Sequence, residues 1–331
     1  MGTIPALQIL LQGISGTLPI ELVIILVLLA AFGIAAELIN RGTERFEKVV
    51  GQGMAGGVIL GFMSSLPELI FVLVAIGKGS ASVALGSAIG GNIILFTIGI
   101  GVVGITYFMK WKKPLKMKDD YKTEVLFLLV SNLSLILLVI YGKLDYISGV
   151  LLLLIYAIYL AYRYMHAHSR TMASLRTKKG RRAALGGIVY FSTGIIVVTI
   201  LSDVFIHYII TFAGMIGVSA LFLSIVITPI AADLPEQLSA YRMSVSSEGG
   251  GSTALVGFIG SKLQNNTVLL GAIGILSAVT VRSSSSLTAF LLVIGINFIA
   301  IATIYRGTLT FRNGVFLAAL YFIAVATAFI V

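Results

Sequence analysis

Along the chain, apolar runs of about 20 residues, the length an α-helix needs to cross the hydrocarbon of a bilayer, alternate with short breaks rich in charge, Gly or Ser. Ten such runs can be marked, with approximate cores at 18–40, 53–77, 83–108, 123–142, 146–165, 185–212, 216–241, 252–280, 287–305 and 313–331. The pattern predicts an all-α integral membrane protein with ten transmembrane helices. Composition agrees: 58% of the 331 residues are hydrophobic and 11% charged, and the mean hydropathy is +1.05. Soluble domains run closer to half apolar and about a quarter charged. The opening "MGTIPALQILLQGISGTLP" has no basic residue ahead of its apolar run, so the first span is expected to be retained and not removed as a signal peptide. The absence of cysteine excludes disulfides, thiolate metal sites and cysteine nucleophiles.

The formal charge of +10 would suit a nucleic-acid partner, but its distribution gives it another meaning. The breaks after spans 1, 3, 5, 7 and 9, with their flanks, hold 19 of the 23 Lys and Arg residues. Lys78, Lys143 and Arg282 fall on the other side, and Lys262 alone lies inside a span. The positive-inside rule then predicts a multi-pass protein of the plasma membrane, with both termini outside and the basic loops cytoplasmic. The excess is a matter of topology and of anionic lipid at the bilayer surface. No nucleic acid and no obligatory protein partner is expected.

The densest basic segment, 167–184, follows the fifth span and is read as a linker between two halves, 1–166 and 185–331. The halves echo one another. The first carries "MSSLPE" at 63–68 and "GSAIGGNIIL" at 86–95; the second carries "AADLPE" at 231–236 and a Gly/Ser/Asn-rich stretch at 257–267. Five spans per half is an odd number, so the second half must enter the bilayer from the opposite face. That is the inverted-repeat plan of many secondary transporters, with discontinuous helices and a site near the midplane.

The repeated motifs concentrate hard oxygen ligands. A proline inside a helix lacks the N–H that would bond the carbonyl four residues back. Pro67 thereby frees the Met63 carbonyl, Pro229 that of Ile225 and Pro235 that of Ala231, with Ala232 beside it. Ser64 and Ser65 share a helix face with Glu68, and Asp233 shares one with Glu236. Span 3 adds Asn92, and span 8 adds Ser261, Lys262, Gln264 and Asn265. Carbonyls, hydroxyls and carboxylates suit Ca²⁺ or Mg²⁺, and without a nearby His or Cys zinc and copper are disfavoured. Gly86, Gly90, Gly91, Gly257 and Gly260 are expected to let spans 3 and 8 approach the proline-bearing helices closely.

The pairs "SSLPEL" with "GSAIGGNI" and "ADLPEQ" with "GSKLQNN" resemble the two repeats of the cation/Ca²⁺ exchanger superfamily, the sodium/calcium and calcium/proton exchangers, in their prokaryotic-type ten-helix form. The resemblance covers nearly the whole chain. It implies two inverted five-helix repeats with broken helices at the midplane, and the two motif glutamates, here Glu68 and Glu236, as the cation ligands. It also implies alternating access through movement of spans 1 and 6 past the remaining helices. The chain departs from the family pattern where Ala232 and Asp233 replace Thr-Ser, Gly91 replaces Ser, Leu95 replaces Asn and Lys262 replaces Asn. Several oxygens that would build sodium sites are therefore missing, which counts against sodium as counter-ion; H⁺ and Na⁺ both stay open. A buried lysine is expensive unless paired. Lys262 is expected either to pair with Asp233 or Glu236 as a substitute for a bound monovalent cation, or to reach the outer interface with its ammonium.

The expected function is a secondary antiporter exporting a divalent cation, Ca²⁺ before Mg²⁺, with no cofactor beyond the transported ions. A cation channel and an intramembrane aspartyl protease using Asp203 and Asp233 are the other classes; neither explains a doubled Leu-Pro-Glu motif. Glu37 is read as an i,i+4 partner of Arg41, and Asp203 as a candidate on a proton path, with His207 within reach of it. "GQGMAGG" at 51–57 fits a dinucleotide fingerprint but opens a membrane span. "NLS" at 132 and "NNT" at 265 match glycosylation acceptors but lie within spans.

Overall fold

The computed structural model describes residues 18–50, 62–63, 65–117, 121–166 and 178–330. The fingerprint-like stretch 51–57, Ser64 and most of the basic linker lie outside them. The described residues form ten helices: α1 Leu18–Val50, α2 Leu66–Gly77, α3 Ala81–Trp111, α4 Tyr121–Tyr141, α5 Tyr146–Met165, α6 Lys178–Ile216, α7 Ala220–Ser246, α8 at 250–276, α9 Ser284–Tyr305 and α10 Phe311–Ile330. Eight of them are long and apolar enough to cross a membrane. The other two are α2, 12 residues long as described, and α8, whose centre carries a run of polar residues.

Helices satisfy their own backbone, which is why a bilayer admits them, and their burial sorts them into layers. The most apolar window of α3 is 83% buried, against 22% in α5 and in α10. The core therefore gathers around α3, with α5 and α10 at the periphery. α1 and α6 pack along each other through glycines. A Cβ on Gly42 would lie 2.8 Å from the Cβ of Phe191, and one on Gly194 would lie 2.6 Å from Ile39 Cγ1. Both helices outrun their predicted spans, α1 to Val50 and α6 from Lys178. The last part of the expected linker is thus helical, because charged helix formers carry a helix past the hydrocarbon that the apolar pattern measures.

Four two-residue strands display the inverted symmetry. β1 (Leu115–Lys116), between α3 and α4, pairs antiparallel with β4 (Thr308–Leu309), between α9 and α10. β2 (Lys143–Leu144), between α4 and α5, pairs with β3 (Val279–Thr280), between α8 and α9. Exchanging the halves converts the first pair into the second on the opposite face of the bundle. Two five-helix repeats related by an axis in the membrane plane have this property. Gly142 and Gly307, at φ 87° and 69°, turn α4 into β2 and α9 into β4, a backbone conformation that glycine adopts freely. The strand at β3 also corrects the predicted eighth span, whose helix ends at Leu276 rather than near residue 280.

The same symmetry sets the register of α3 against α8. Each contains a π-helical turn, Leu95–Gly99 in α3 and Asn265–Leu269 in α8. In each turn a threonine hydroxyl donates to the carbonyl four residues back, Thr97 to Ile93 and Thr267 to Leu263. Such hydroxyls occupy carbonyls that a wider turn leaves free. Aligning the two turns makes Gly91 the counterpart of Ser261, Asn92 of Lys262, and Leu95 of Asn265.

Candidate functional site

Glu68 stands in the first turn of α2, directly after Pro67, and is 2% exposed. That helix start, with its unpaired N–H groups, favours a carboxylate. The helix is interrupted before it: residues 62–63 are helical, Ser65 is a turn and α2 begins at Leu66. Its counterpart α7 runs on as one helix through Pro229 and Pro235, so the sequence's expectation of a matching break is met there only by lost backbone bonds. The Ile225 carbonyl, freed by Pro229, lies 2.3 Å from the place a Cβ of Gly90 would take, and the Ala231 carbonyl, freed by Pro235, lies 3.7 Å from that of Gly33. Both carbonyls face neighbouring helices at close contacts. Gly86 and Gly90 serve the close approach of α3 to α7, where Ser224 Oγ donates to the Val83 carbonyl at 2.7 Å.

From α8, side chains reach both motif glutamates. Asn265 Nδ2 donates to Glu68 Oε1 at 2.8 Å, and Ser261 Oγ to Glu236 Oε2 at 3.2 Å. The Lys262 ammonium, on a side chain with 0% exposure, lies 3.6 Å from Glu68 Oε2 and 3.4 Å from Asp233 Oδ2. It pairs with Asp233 as one reading expected, but its second carboxylate is Glu68 rather than Glu236. Total burial removes the alternative in which it reaches the interface. The α3 positions opposite are stripped. A Cβ on Gly91 would lie 2.2 Å from Glu68 Oε1, 2.6 Å from Asn265 Nδ2 and 3.0 Å from Lys262 Nζ. The ammonium therefore sits in space left by the missing side chain of Gly91, and the side chains that contact the carboxylates come from α8 of the second repeat.

Glu68 Oε2 and Asn265 Oδ1, both buried, have no hydrogen-bond partner among the described residues. Oxygens without a hydrogen-bond donor suit a hard cation, although Glu68 Oε2 also faces the Lys262 ammonium at 3.6 Å. The three carboxylates do not converge, however: among the described residues no group of three carboxylates or imidazoles is arranged to hold a metal. Lys262 stands between two of them, and Glu236, partly exposed, is held by Ser261.

The remaining expected residues divide. Ser65 and Ala232 are buried and Met63 half-buried beside the motif carboxylates in sequence. Asn92 turns away, donating to Asn266 Oδ1 at 2.6 Å, and Asn266 donates to Ser131 of α4 at 3.2 Å. Gln264 accepts from the Tyr156 hydroxyl at 3.4 Å and borders a separate cavity. Asp203 is paired with Lys78 at 2.6 Å, ten residues past Glu68 and so about 15 Å along α2. His207 packs edge-on against Tyr208. Glu37 pairs with Arg41 at 2.9 Å as expected. Asn132 and Asn265, from the glycosylation-like triplets, are fully buried.

Two features bear on access to this cluster. Toward the face of β2 and β3, buried Phe32, Phe71 and Phe205 pack in edge-on and tilted contacts with centroids 5.9–6.0 Å apart, and the Lys78–Asp203 pair lies nearby. Toward the face of β1 and β4, a cavity of about 240 Å³ opens between α4, α5 and α8 and ends at Ser261 and Gln264. Gly257 and Gly260 border it: among the described residues a Cβ on the first would meet nothing within 4 Å, and on the second only the Tyr159 hydroxyl at 4.0 Å. Their expected role in close packing is therefore overturned; they leave space open.

The family model described as sodium/calcium exchanger protein matches residues 20–165 and again 186–330, nearly the whole chain in two pieces. The chain belongs to the sodium/calcium exchanger family. Solved structures of similar fold include an H⁺/Ca²⁺ exchanger, CAX, at TM-score 0.79 and 20% identity, covering 99% of this chain and 89% of that one. YfkE follows at 0.71 and 18%, covering 94% and 93%. The sodium-calcium exchanger NCX_Mj, in a form soaked with Na⁺ and Sr²⁺, matches at 0.66 and 17%, covering 94% and 99%. A search of the curated proteins finds no match. This exchanger is accordingly a membrane-embedded cation antiporter of the secondary-transporter class, not an enzyme, and its fold is the family's two inverted repeats.

Two features of the exchanger's site escaped sequence reasoning. The π-turns were missed, although a threonine at matching places in "IILFT" and "LQNNT" is a visible signal. The packing of Gly91 against the charged cluster was missed because a glycine in a Gly-rich helix reads as a packing residue. Gly91→Ala is expected to displace Glu68 and cut calcium uptake by roughly tenfold or more, since shifts near 1 Å at a working group carry such penalties. Gly295→Ala, where an added Cβ meets nothing within 4 Å, is the control expected to keep wild-type uptake in the same vesicles.

Proposed function

We propose that this exchanger exports Ca²⁺ across the plasma membrane in return for protons, using Glu68 and Glu236 as the cation ligands. The observation that carries this reading is the Lys262 ammonium lodged between Glu68 and Asp233. In their ionised forms three carboxylates and one ammonium leave two negative charges in the bilayer core. Net charge there is costly, and one divalent cation or two protons would neutralise it. A cycle exchanging one Ca²⁺ for two H⁺ keeps the core neutral in both directions.

The oxygens that would hold a sodium ion are missing in the same places: Gly91, Leu95 and Ala232 carry none on their side chains. The cargo would take Glu68 Oε2, Glu236, Asn265 Oδ1 and Ser261, with Ser65 beside Glu68 in sequence. Alternating access would come from α1 and α6 moving past the other helices, with residues 1–166 and 185–331 as the two repeats. Both termini would lie outside and the basic face, marked by β1 and β4, in the cytoplasm. Mg²⁺ shares this chemistry with a smaller, more hydrated shell and is the alternative cargo.

The test is ⁴⁵Ca²⁺ uptake into proteoliposomes of purified protein under an outward gradient of H⁺ or of Na⁺ alone. Uptake is expected with the proton gradient and not with sodium. Sodium-driven uptake would overturn the counter-ion, and no uptake with either gradient would move the test to Mg²⁺.

A further inference from the structure

The cavity on the basic face holds a buried ion pair that the exchange reaction as described does not use. Glu124, in the first turn of α4, is 1% exposed, and its Oε1 lies 3.1 Å from Nη2 of Arg163, near the end of α5 and 15% exposed. Both border the same cavity as Ser261 and Gln264. Along α8 its lining runs through Thr253, Gly257, Gly260 and Gln264, one helix face spanning about 16 Å of axis. One end thus lies near the basic face. The other lies at the serine that holds Glu236.

The space has room for several waters at about 30 Å³ each, and the buried Gln264 Nε2, without a partner among the described residues, offers a donor on which water can anchor. A wet path bordered by a carboxylate already neutralised by a guanidinium has an evident use. We infer that Glu124 and Arg163 form a charge gate on the cytoplasmic path: an arriving divalent cation takes Glu124 from Arg163, moves on to Glu236, and the guanidinium returns behind it. The pair makes passage an exchange of partners, so neither an empty carboxylate nor a bare arginine is left in low dielectric. The inference rests on Glu236 being a cation ligand.

The chain has no cysteine, so single cysteines can be labelled without background. Gly260→Cys is expected to react with an impermeant cationic methanethiosulfonate from the basic face only, and more slowly when Ca²⁺ is present there. Ser246→Cys and Ser283→Cys, at exposed positions near the two faces, report sidedness. Glu124→Gln is expected to raise the half-saturating Ca²⁺ concentration at the basic face by about tenfold, the scale on which a charge in a cleft concentrates its ion. The value at the opposite face stays unchanged. A merely structural pair would shift both faces alike or neither.

Glu124→Gln with Arg163→Gln removes both charges together and leaves two amides able to hydrogen-bond, and it is expected to show the same one-sided shift. The gate is overturned if Gly260→Cys stays unreactive from the basic face while Ser246→Cys reacts, or if the double variant shows no one-sided shift. Labelling requires no transport, so it stands or falls separately from the uptake experiment above.

Discussion

Glu68→Gln and Glu236→Gln are each expected to reduce calcium exchange at least a hundredfold while leaving a folded protein. On the proposed reading, each removes one of the two net negative charges that would balance a divalent cation. Truncating one partner of a buried charged set costs roughly 3–5 kcal/mol, two decades or more in occupancy. The two variants differ in their side effects. Glu68 accepts from Asn265 at 2.8 Å and lies 3.6 Å from the Lys262 ammonium, so its amide disturbs the α2–α8 contact. Glu236 is partly exposed and accepts from Ser261, so its amide keeps that bond and the fold. Uptake of ⁴⁵Ca²⁺ in proteoliposomes, with monodispersity in detergent as the check on folding, measures both. Residual flux above a tenth of wild type in a well-folded Glu236→Gln protein would remove Glu236 from the site.

The fold was legible because a bilayer leaves so few solutions. Apolar runs of the right length had to be helices, and an odd number of them per half had to invert the second copy. What hydropathy cannot register is helix outside the hydrocarbon, hence the polar ends of α1 and α6, or two-residue strands such as β1 and β4, which are set by a chain turn at Gly307 and by pairing across the repeats. The carboxylates and Lys262 were legible because charge within an apolar run is rare. The direction in which a polar side chain turns is not written in that pattern. Asn92 shares its helix with Gly91 yet bonds Asn266, and Gly257 and Gly260 border water-sized space where tight packing was expected. Glu124 and Arg163 escaped for a related reason. Both lie near span ends, where charges normally meet solvent, and only the approach of α5 to α4 shows that they are buried together.

Lys262→Asn offers the sharpest separation between a resident cation and an ordinary buried ion pair. Asparagine is the residue at the repeat-related position, Asn92, so the side chain suits this helix register. The substitution leaves Glu68, Asp233 and Glu236 with one more negative charge than a divalent cation can balance. A monovalent cation from solution, or one further proton, must then occupy the space beside Gly91 that the ammonium held. In choline medium at neutral pH, uptake is expected to fall about a hundredfold, the low end of the penalty for an uncompensated buried charge. Addition of Na⁺ or K⁺ should restore part of it, whereas the wild-type protein should be indifferent to both. The pH at which the variant works best should also move toward acid, since the extra proton replaces the fixed charge. The measurement is ⁴⁵Ca²⁺ uptake at constant proton gradient in choline, sodium and potassium media across pH. A variant with unchanged pH dependence and no response to monovalent cations would reduce Lys262 to a structural residue, and with it would go the charge balance that selects protons as the counter-ion.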